Sequence, residues 1–169
     1  LMREEYSHLL RECAKRVFFD MSRGHEYMSL KYQSTVFESF KGMKQEALKE
    51  IYKEKLLSMR DEDIRMGFTG IGTHRDDIII EVNDLNLREY GSQGQQRSVA
   101  LSLKLAQAEI LMRLTGESPV ILFDDALSEI DKRRQIYVMN EIDDMQVILT
   151  CCDPIVALEA RIGNLYAIQ

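Results

Sequence analysis

Cysteine is scarce in this chain, with three residues in 169, and two of them stand side by side as Cys151 and Cys152. An adjacent pair behind an apolar run suits a reducing compartment better than a disulfide framework. The His and Cys spacings of a zinc site are missing as well. No apolar run approaches the roughly 20 residues that a membrane-crossing helix needs. Nothing near Leu1 resembles a signal peptide, so the expected location is cytoplasmic, with no membrane contact. Positive charge is not in excess: 22 Lys+Arg face 28 Asp+Glu, a net of -6, and total charge therefore offers no argument for nucleic-acid binding. The imbalance is local, since residues 1–66 carry a net +1 and the remainder a net -7. The phosphate-binding pattern G-x-x-x-x-G-K-[ST] occurs nowhere.

Hydrophobic residues make up 45% and charged residues 30%, the balance of a globular protein with one good core and at most a small appendage. Tyr6, Leu9, Leu10, Cys13, Val17 and Met21 recur at three- and four-residue steps, which predicts a helix over 3–21. It begins with no capping residue ahead of it, so the chain is expected to be a piece of a longer protein. Met28, Leu30, Tyr32 and Thr35-Val36-Phe37 alternate as a strand would, and a charged helix is expected over 43–66. In residues 1–66, Lys41, Lys44, Lys49, Lys53, Lys55 and Arg60 are interleaved with Glu46, Glu50 and Glu54 at helical spacing. They read as solvated i,i+4 pairs, with contact to DNA phosphates as the alternative.

The character changes after Met66. A turn with Gly67, Gly70 and Gly72 leads into Thr73-His74-Arg75-Asp76-Asp77, then a strand at 78–82, a turn at Asn83-Asp84 and a short partner strand at 85–87. A helix to Thr115 comes next, with Val99, Leu103, Ala106, Ile110 and Leu114 on one face and Gly116 as its stop. The apolar run 120–124 predicts a strand buried on both sheet faces. A helix near 131–143, a strand at 146–150, a short helix after Pro154 and a last strand at Leu165–Ile168 complete the expectation. Alternating strands and helices predict an α/β lobe over 67–169 with a mainly parallel sheet, preceded by a mostly helical arm over 1–66.

Two phrases carry chemistry. Gly91-Ser92-Gln93-Gly94-Gln95-Gln96-Arg97 puts an N-capping Ser92 and a small Gly94 at the mouth of a helix, where free N–H groups attract anions. Gln95, Gln96 and Arg97 add donors for a phosphate or ribose; an ordinary capped helix is the other reading. Asp124 and Asp125 end the apolar strand. In phosphate-transfer sites an Asp so placed holds Mg²⁺, and an adjacent carboxylate orients or deprotonates the attacking water. Alternatively, Asp125 caps the next turn. His74, beside Asp76 and Asp77, reads either as a metal ligand or proton carrier or as a structural contact shared with Arg75.

The loop at 91–97, the strand ending in Asp124-Asp125 and the sequel Leu127-Ser128-Glu129-Ile130-Asp131, in this order, resemble the C-terminal half of RecF, an ABC-type, SMC-like ATPase of recombinational DNA repair. Gly72-Thr73-His74-Arg75-Asp76-Asp77 resembles a hallmark of the same family. The resemblance implies that Ser92, Gln93, Gly94, Gln95, Gln96 and Arg97 form a signature contacting ATP held by an opposing subunit. It implies that Asp124 is associated with Mg²⁺ and that Asp125 polarises water. Ser128, Glu129 and Asp131 would be a D-loop at the dimer interface, with Thr150 near the switch position. It further implies an ATP-dependent homodimer with weak DNA-dependent ATPase activity. Such a dimer would act at DNA gaps or single/double-strand junctions with RecR and RecO to promote RecA loading. ATP and Mg²⁺ would both require the family's N-terminal half, so this chain alone is expected to be inactive. The sequence departs from the family at Thr73, where proline is usual, and at Thr150-Cys151-Cys152, where a Thr-rich run is usual. A transporter or other SMC-like ATPase subunit and a non-enzymatic docking module are the alternatives.

Overall fold

The computed structural model describes residues 2–40, 42–127, 130–151, 164 and 166. Its elements are α1 (Met2–Met21), β1 (Met28–Gln33), α2 (Gln45–Met66), β2 (Asp77–Val82), β3 (Leu85–Asn86), α3 (Leu87–Tyr90), α4 (Gln93–Thr115), β4 (Val120–Asp124), α5 (Lys132–Glu141) and β5 (Gln146–Thr150). The helix expected after Pro154 and the strand expected at Leu165–Ile168 lie outside the described residues. α3 is an addition: the partner strand expected at 85–87 ends at Asn86, whose side chain accepts from the Arg88 amide and starts a helical turn.

Strands β1, β2 and β3 form one antiparallel sheet, with Met28 opposite Val82 and Gln33 opposite Asp77. The β2–β3 hairpin turns through Asn83 and Asp84, both at positive φ (50° and 63°), the geometry of a two-residue turn that matches the strand twist. Asn83 also braces the next strand over: its Oδ1 accepts from the Tyr27 amide at 3.1 Å, and its own amide donates to the Tyr27 carbonyl at 3.0 Å. β4 and β5 pair in parallel through the α5 crossover. The parallel pairing expected of the α/β lobe is thus found in β4–β5, beside an antiparallel sheet with one strand more.

Two cores meet along α1 and α4. Leu10, Ala14, Phe18, Met28, Leu30, Val82, Val99, Ala106 and Ile110 pack beneath the antiparallel sheet. Val17, Met21, Leu101, Leu105, Phe123, Leu127, Ile130, Val138 and Ile142 pack beneath the parallel pair. Both helices therefore present apolar residues in two directions, and the small side chains Ala14, Ser98, Ser102 and Ala106 are almost wholly buried. Ser98 and Ser102 satisfy their hydroxyls on the carbonyls of Gly94 and Ser98, at 2.7 and 2.8 Å, which removes the cost of burying them.

This packing divides the chain differently from the expected boundary at residue 66. α1 lies against α4, and β1 is hydrogen-bonded along its whole length to β2, so residues 2–33 share their cores with the elements from β2 onward. Only α2 stands away, with Leu48 as its sole buried residue and Leu57 and Ile64 more than 60% exposed. Nonlocal pairing, invisible to a running pattern, is what draws α1 and β1 into the lobe. A second correction concerns β4. Phe123 is buried, but Leu122 is 71% exposed and Val120 53%. In a two-stranded pair one face meets α4 and α5, while nothing in the described residues covers the other. Leu114, expected on the buried face of α4, is likewise 70% exposed, because the core ends one turn earlier at Ile110.

Candidate functional site

Register places Asp124 and Thr150 opposite each other at the carboxyl ends of β4 and β5. That end of parallel strands is where α/β folds assemble ligand-binding groups. The Thr150 hydroxyl donates to Asp124 Oδ1 at 2.6 Å. The Asp125 amide donates to both Oγ1 and the carbonyl oxygen of Thr150, each at 3.1 Å. Both carboxylates are exposed. Asp125 has φ 48°, in the left-handed region, which costs a non-glycine residue about 1–2 kcal/mol. This kink breaks the strand alternation that would send consecutive side chains to opposite faces. Asp124 and a hydroxyl 26 residues away are thus paired at one sheet end, with the Asp125 backbone bonded to the same threonine. The Asp124–Thr150 contact is fixed by strand register and has no signature in sequence spacing.

At the start of α4, Ser92 and Gln95 form a reciprocal capping box. Ser92 Oγ accepts from the Gln95 amide at 3.2 Å, and Gln95 Oε1 accepts from the Ser92 amide at 3.0 Å. Gln95 Nε2 donates to Glu26 Oε1 at 2.7 Å, so both ends of its amide are engaged inside the chain. Gln95 thus has its Oε1 and one Nε2 hydrogen committed to Ser92 and Glu26. Its spacing from Ser92, three residues on, is the capping-box signal that would have found this. Gln96 Nε2 folds back onto the Gly91 carbonyl at 3.1 Å, whereas Ser92 and Gln93 are exposed and Gly94 and Arg97 half-buried.

The two glycines of this loop differ in kind. A Cβ on Gly91 would lie 2.4 Å from the Leu87 carbonyl oxygen, a backbone atom that cannot step aside. A Cβ on Gly94 would meet only Arg134 Nη1, at 3.9 Å, an ordinary contact. Gly91→Ala is expected to destabilise the chain by about 1–3 kcal/mol, the usual range for forced overpacking. Gly94→Ala should leave stability unchanged or slightly raised, because alanine is the better helix former. Denaturant titration of the two variants decides this, and equal destabilisation would contradict it.

The next helix is organised by Asp131, the N-cap of α5, whose Oδ1 accepts from the amides of Arg133 (3.0 Å) and Arg134 (3.2 Å). Gln135 Nε2 reaches back to the carbonyls of Leu127 (2.7 Å) and Ile130 (3.2 Å). Leu127 and Ile130 are buried and anchor this turn from both sides. Ser128 and Glu129 lie outside the described residues.

The 72–77 segment belongs elsewhere in the fold. His74 Nε2 is 3.1 Å from the Thr69 carbonyl, and the Arg75 guanidinium stacks 4.8 Å over the Phe68 ring. Both residues are exposed and fold back on the turn after α2. Among the described residues no group of three His, Cys, Asp or Glu side chains is placed to hold a metal ion, the His74-Asp76-Asp77 cluster included. Asp76 has a structural part that its sequence neighbourhood conceals. It accepts from the Tyr32 hydroxyl, from the Thr35 amide at 2.8 Å and from Thr35 Oγ1 at 3.1 Å, which ties the end of β1 to this turn. Partial burial pushes its carboxyl up, but the hydrogen bonds from Tyr32, Thr35 and Ser34 outweigh burial and hold it below its ordinary value. A carboxyl depressed by folding stabilises the fold above its unfolded value, and that contribution disappears as the pH falls through the folded one. Asp76→Asn should therefore lower neutral-pH stability by about 1–3 kcal/mol. It should also flatten the acid limb of a stability–pH profile; an unchanged limb would contradict this assignment.

No protein-family model matches the chain. It is 39% identical to the DNA replication and repair protein RecF of Clostridium tetani over 149 residues, which is 88% of this chain and 40% of that protein. It is 38% identical to the RecF protein of Acetivibrio thermocellus over 165 residues, 97% of this chain and 44% of that protein. The solved structure of the recombination mediator protein RecF-ATPrS in the RecFOR pathway matches with a TM-score of 0.76 and 31% identity, over 90% of this chain and 40% of the other. The corresponding RecF-ATP structure matches with a TM-score of 0.75. The chain thus spans about two fifths of the length of the relatives it matches.

Proposed function

The chain belongs to the RecF family, of whose members it spans about two fifths, and from that premise we propose that it is the C-terminal part of an ATP-dependent DNA-repair ATPase. The observation that carries the reading is the cluster at the carboxyl ends of β4 and β5. There Asp124 is oriented by the Thr150 hydroxyl, and Asp125 is held in a strained left-handed turn bonded to the same threonine. Left-handed residues serve turns, as Asp84 does, but they also cluster at active sites, and this one stands at the carboxyl end of a parallel strand.

In this reading Asp124 holds Mg²⁺ and Asp125 polarises the water that attacks ATP. An exposed carboxylate already steadied through one oxygen suits Mg²⁺, which is bound by one or two carboxylates together with substrate phosphates rather than by an all-protein cage. The metal would supply charge stabilisation for the phosphates. Residues Ser92, Gln93, Gly94, Gln96 and Arg97 form the surface offered to ATP on a second subunit, with Gln95 as their internal brace. Gly94 supports this, since nothing in the described chain requires a glycine there. Ser128, Glu129 and Asp131 would meet the partner subunit, and Thr150 would act as the switch by releasing or holding Asp124. Binding at DNA gaps or junctions, and RecA loading with RecO and RecR, complete the proposed role in the cytoplasm. The phosphate-binding pattern G-x-x-x-x-G-K-[ST] would have to come from outside these 169 residues, so this chain alone should show no ATP turnover.

Asp124→Ala in the complete protein is the direct test. ATP-dependent dimerisation and turnover should both be lost while the thermal midpoint is retained. Survival of both activities would remove the ATPase reading and favour a docking module. Gly94→Ala in the same background should weaken ATP-dependent dimerisation, because a methyl there would block close approach of the partner's ATP to the backbone.

A further inference from the structure

Glu26 lies just after α1, far in sequence from both α4 and α5, yet its carboxylate joins the first turns of those helices. Oε1 accepts from Gln95 Nε2 and Oε2 from Arg134 Nη2, both at 2.7 Å. Arg134 Nη1 continues the chain to Asp131 Oδ2 at 3.2 Å. The Glu26 and Arg134 side chains are only 18% and 22% exposed, so the pair is largely shielded from solvent. The Glu26 backbone is pinned too: its amide donates to Ser22 Oγ at 3.1 Å, and that hydroxyl donates to the Glu26 carbonyl at 3.1 Å. At one end of this network, Gln95 closes the capping box on Ser92. At the other, Asp131 caps α5.

We propose that Glu26 is a positioning residue that couples the Ser92–Arg97 loop to the Asp131 turn, so that engagement of one surface by the partner subunit sets the geometry of the other. The physical basis is the geometry of a fork. A carboxylate that accepts from Gln95 through one oxygen and from Arg134 through the other cannot let either loop shift without straining the second bond. Such charge-assisted bonds are shorter and about twice as strong as neutral ones. Partial burial also limits replacement by water. The acidic residue is required because both neighbours are donors; glutamine at 26 would offer Arg134 or Gln95 a poor acceptor. Arg134 is the second element, since its guanidinium touches both Glu26 and Asp131.

The inference rests on the dimeric ATPase reading and is separable from it in heterodimers of the complete protein purified through two affinity tags. The reference pairs a wild-type subunit with an Asp125→Asn subunit. It retains one competent site, built from Asp125 of the first subunit and the Ser92–Arg97 loop of the second. Glu26→Gln placed on the Asp125→Asn subunit should slow that site roughly tenfold, the effect of losing one charge-assisted bond. Glu26→Gln on the other subunit, whose loop faces the dead site, should leave turnover near the reference. Equal slowing in both arrangements, or none in either, would overturn the coupling. Should the glutamine variant fail to fold, Arg134→Lys breaks the same fork from its other side and is read by the same comparison. A reference heterodimer as active as wild type would instead sink the ATPase assignment, and the coupling with it.

Discussion

Replacing Asp125 by glycine is expected to cut ATP turnover of the complete protein by about 100-fold or more, the scale of a lost general base. The same change should leave the fold intact or make it firmer. Asp125 sits at φ 48°, where a Cβ costs about 1–2 kcal/mol. Glycine removes that strain but adds about 0.5–1 kcal/mol of unfolded-state entropy. The balance runs from zero to a gain of about 1.5 kcal/mol, or up to ~3–6 °C in thermal midpoint for a domain of this size. Opposite movements of activity and stability are the mark of a residue kept for function at the expense of folding. The Asp125 amide bonds to Thr150 come from the backbone and survive the substitution. A variant that keeps its turnover, or one that melts well below wild type, would show that Asp125 only shapes the turn.

Phe18→Ala should destabilise the protein by about 3–5 kcal/mol, the usual cost of emptying a buried aromatic site. That is a large share of the roughly 5–15 kcal/mol by which domains are stable. Phe18 is 1% exposed and lies in the core beneath the antiparallel sheet, while its neighbours Val17 and Met21 enter the other core. The cavity would open where α1 supports α4, the helix that carries the Ser92–Arg97 loop. Leu9→Ala, on the same helix but 46% exposed, is the control and should shift the denaturant midpoint by no more than about 0.5 kcal/mol. If the two variants lost equal stability, the packing assigned to α1 would be wrong.

The elements themselves were legible because their signals are local. Periodicity marks α1 and α4, Gly116 at φ 75° stops α4, and Asn83-Asp84 turns the β2–β3 hairpin. Asp124 and Asp125 announce themselves by ending an apolar run, and Ser92 by preceding a helix. What escaped is nonlocal. No pattern along the chain says that β1 pairs with β2, which moves residues 2–33 from an arm into the lobe. The exposure of Leu122 likewise depends on which strands and helices are present to cover it, not on its own type.

By itself the sequence determined the resemblance to RecF, the order of the described helices and strands apart from α3, and the identity of the acidic pair and the capped loop, since each is encoded within a few consecutive residues. Tertiary structure alone decided how these parts serve one another. It set Thr150 on Asp124 through strand register, turned Gln95 inward to Glu26, and joined Glu26 to Arg134 across the start of α5. The physical reason is the same in each case. Hydrogen bonds between residues 26 to 108 positions apart exist only after the cores have closed and fixed the distances between elements.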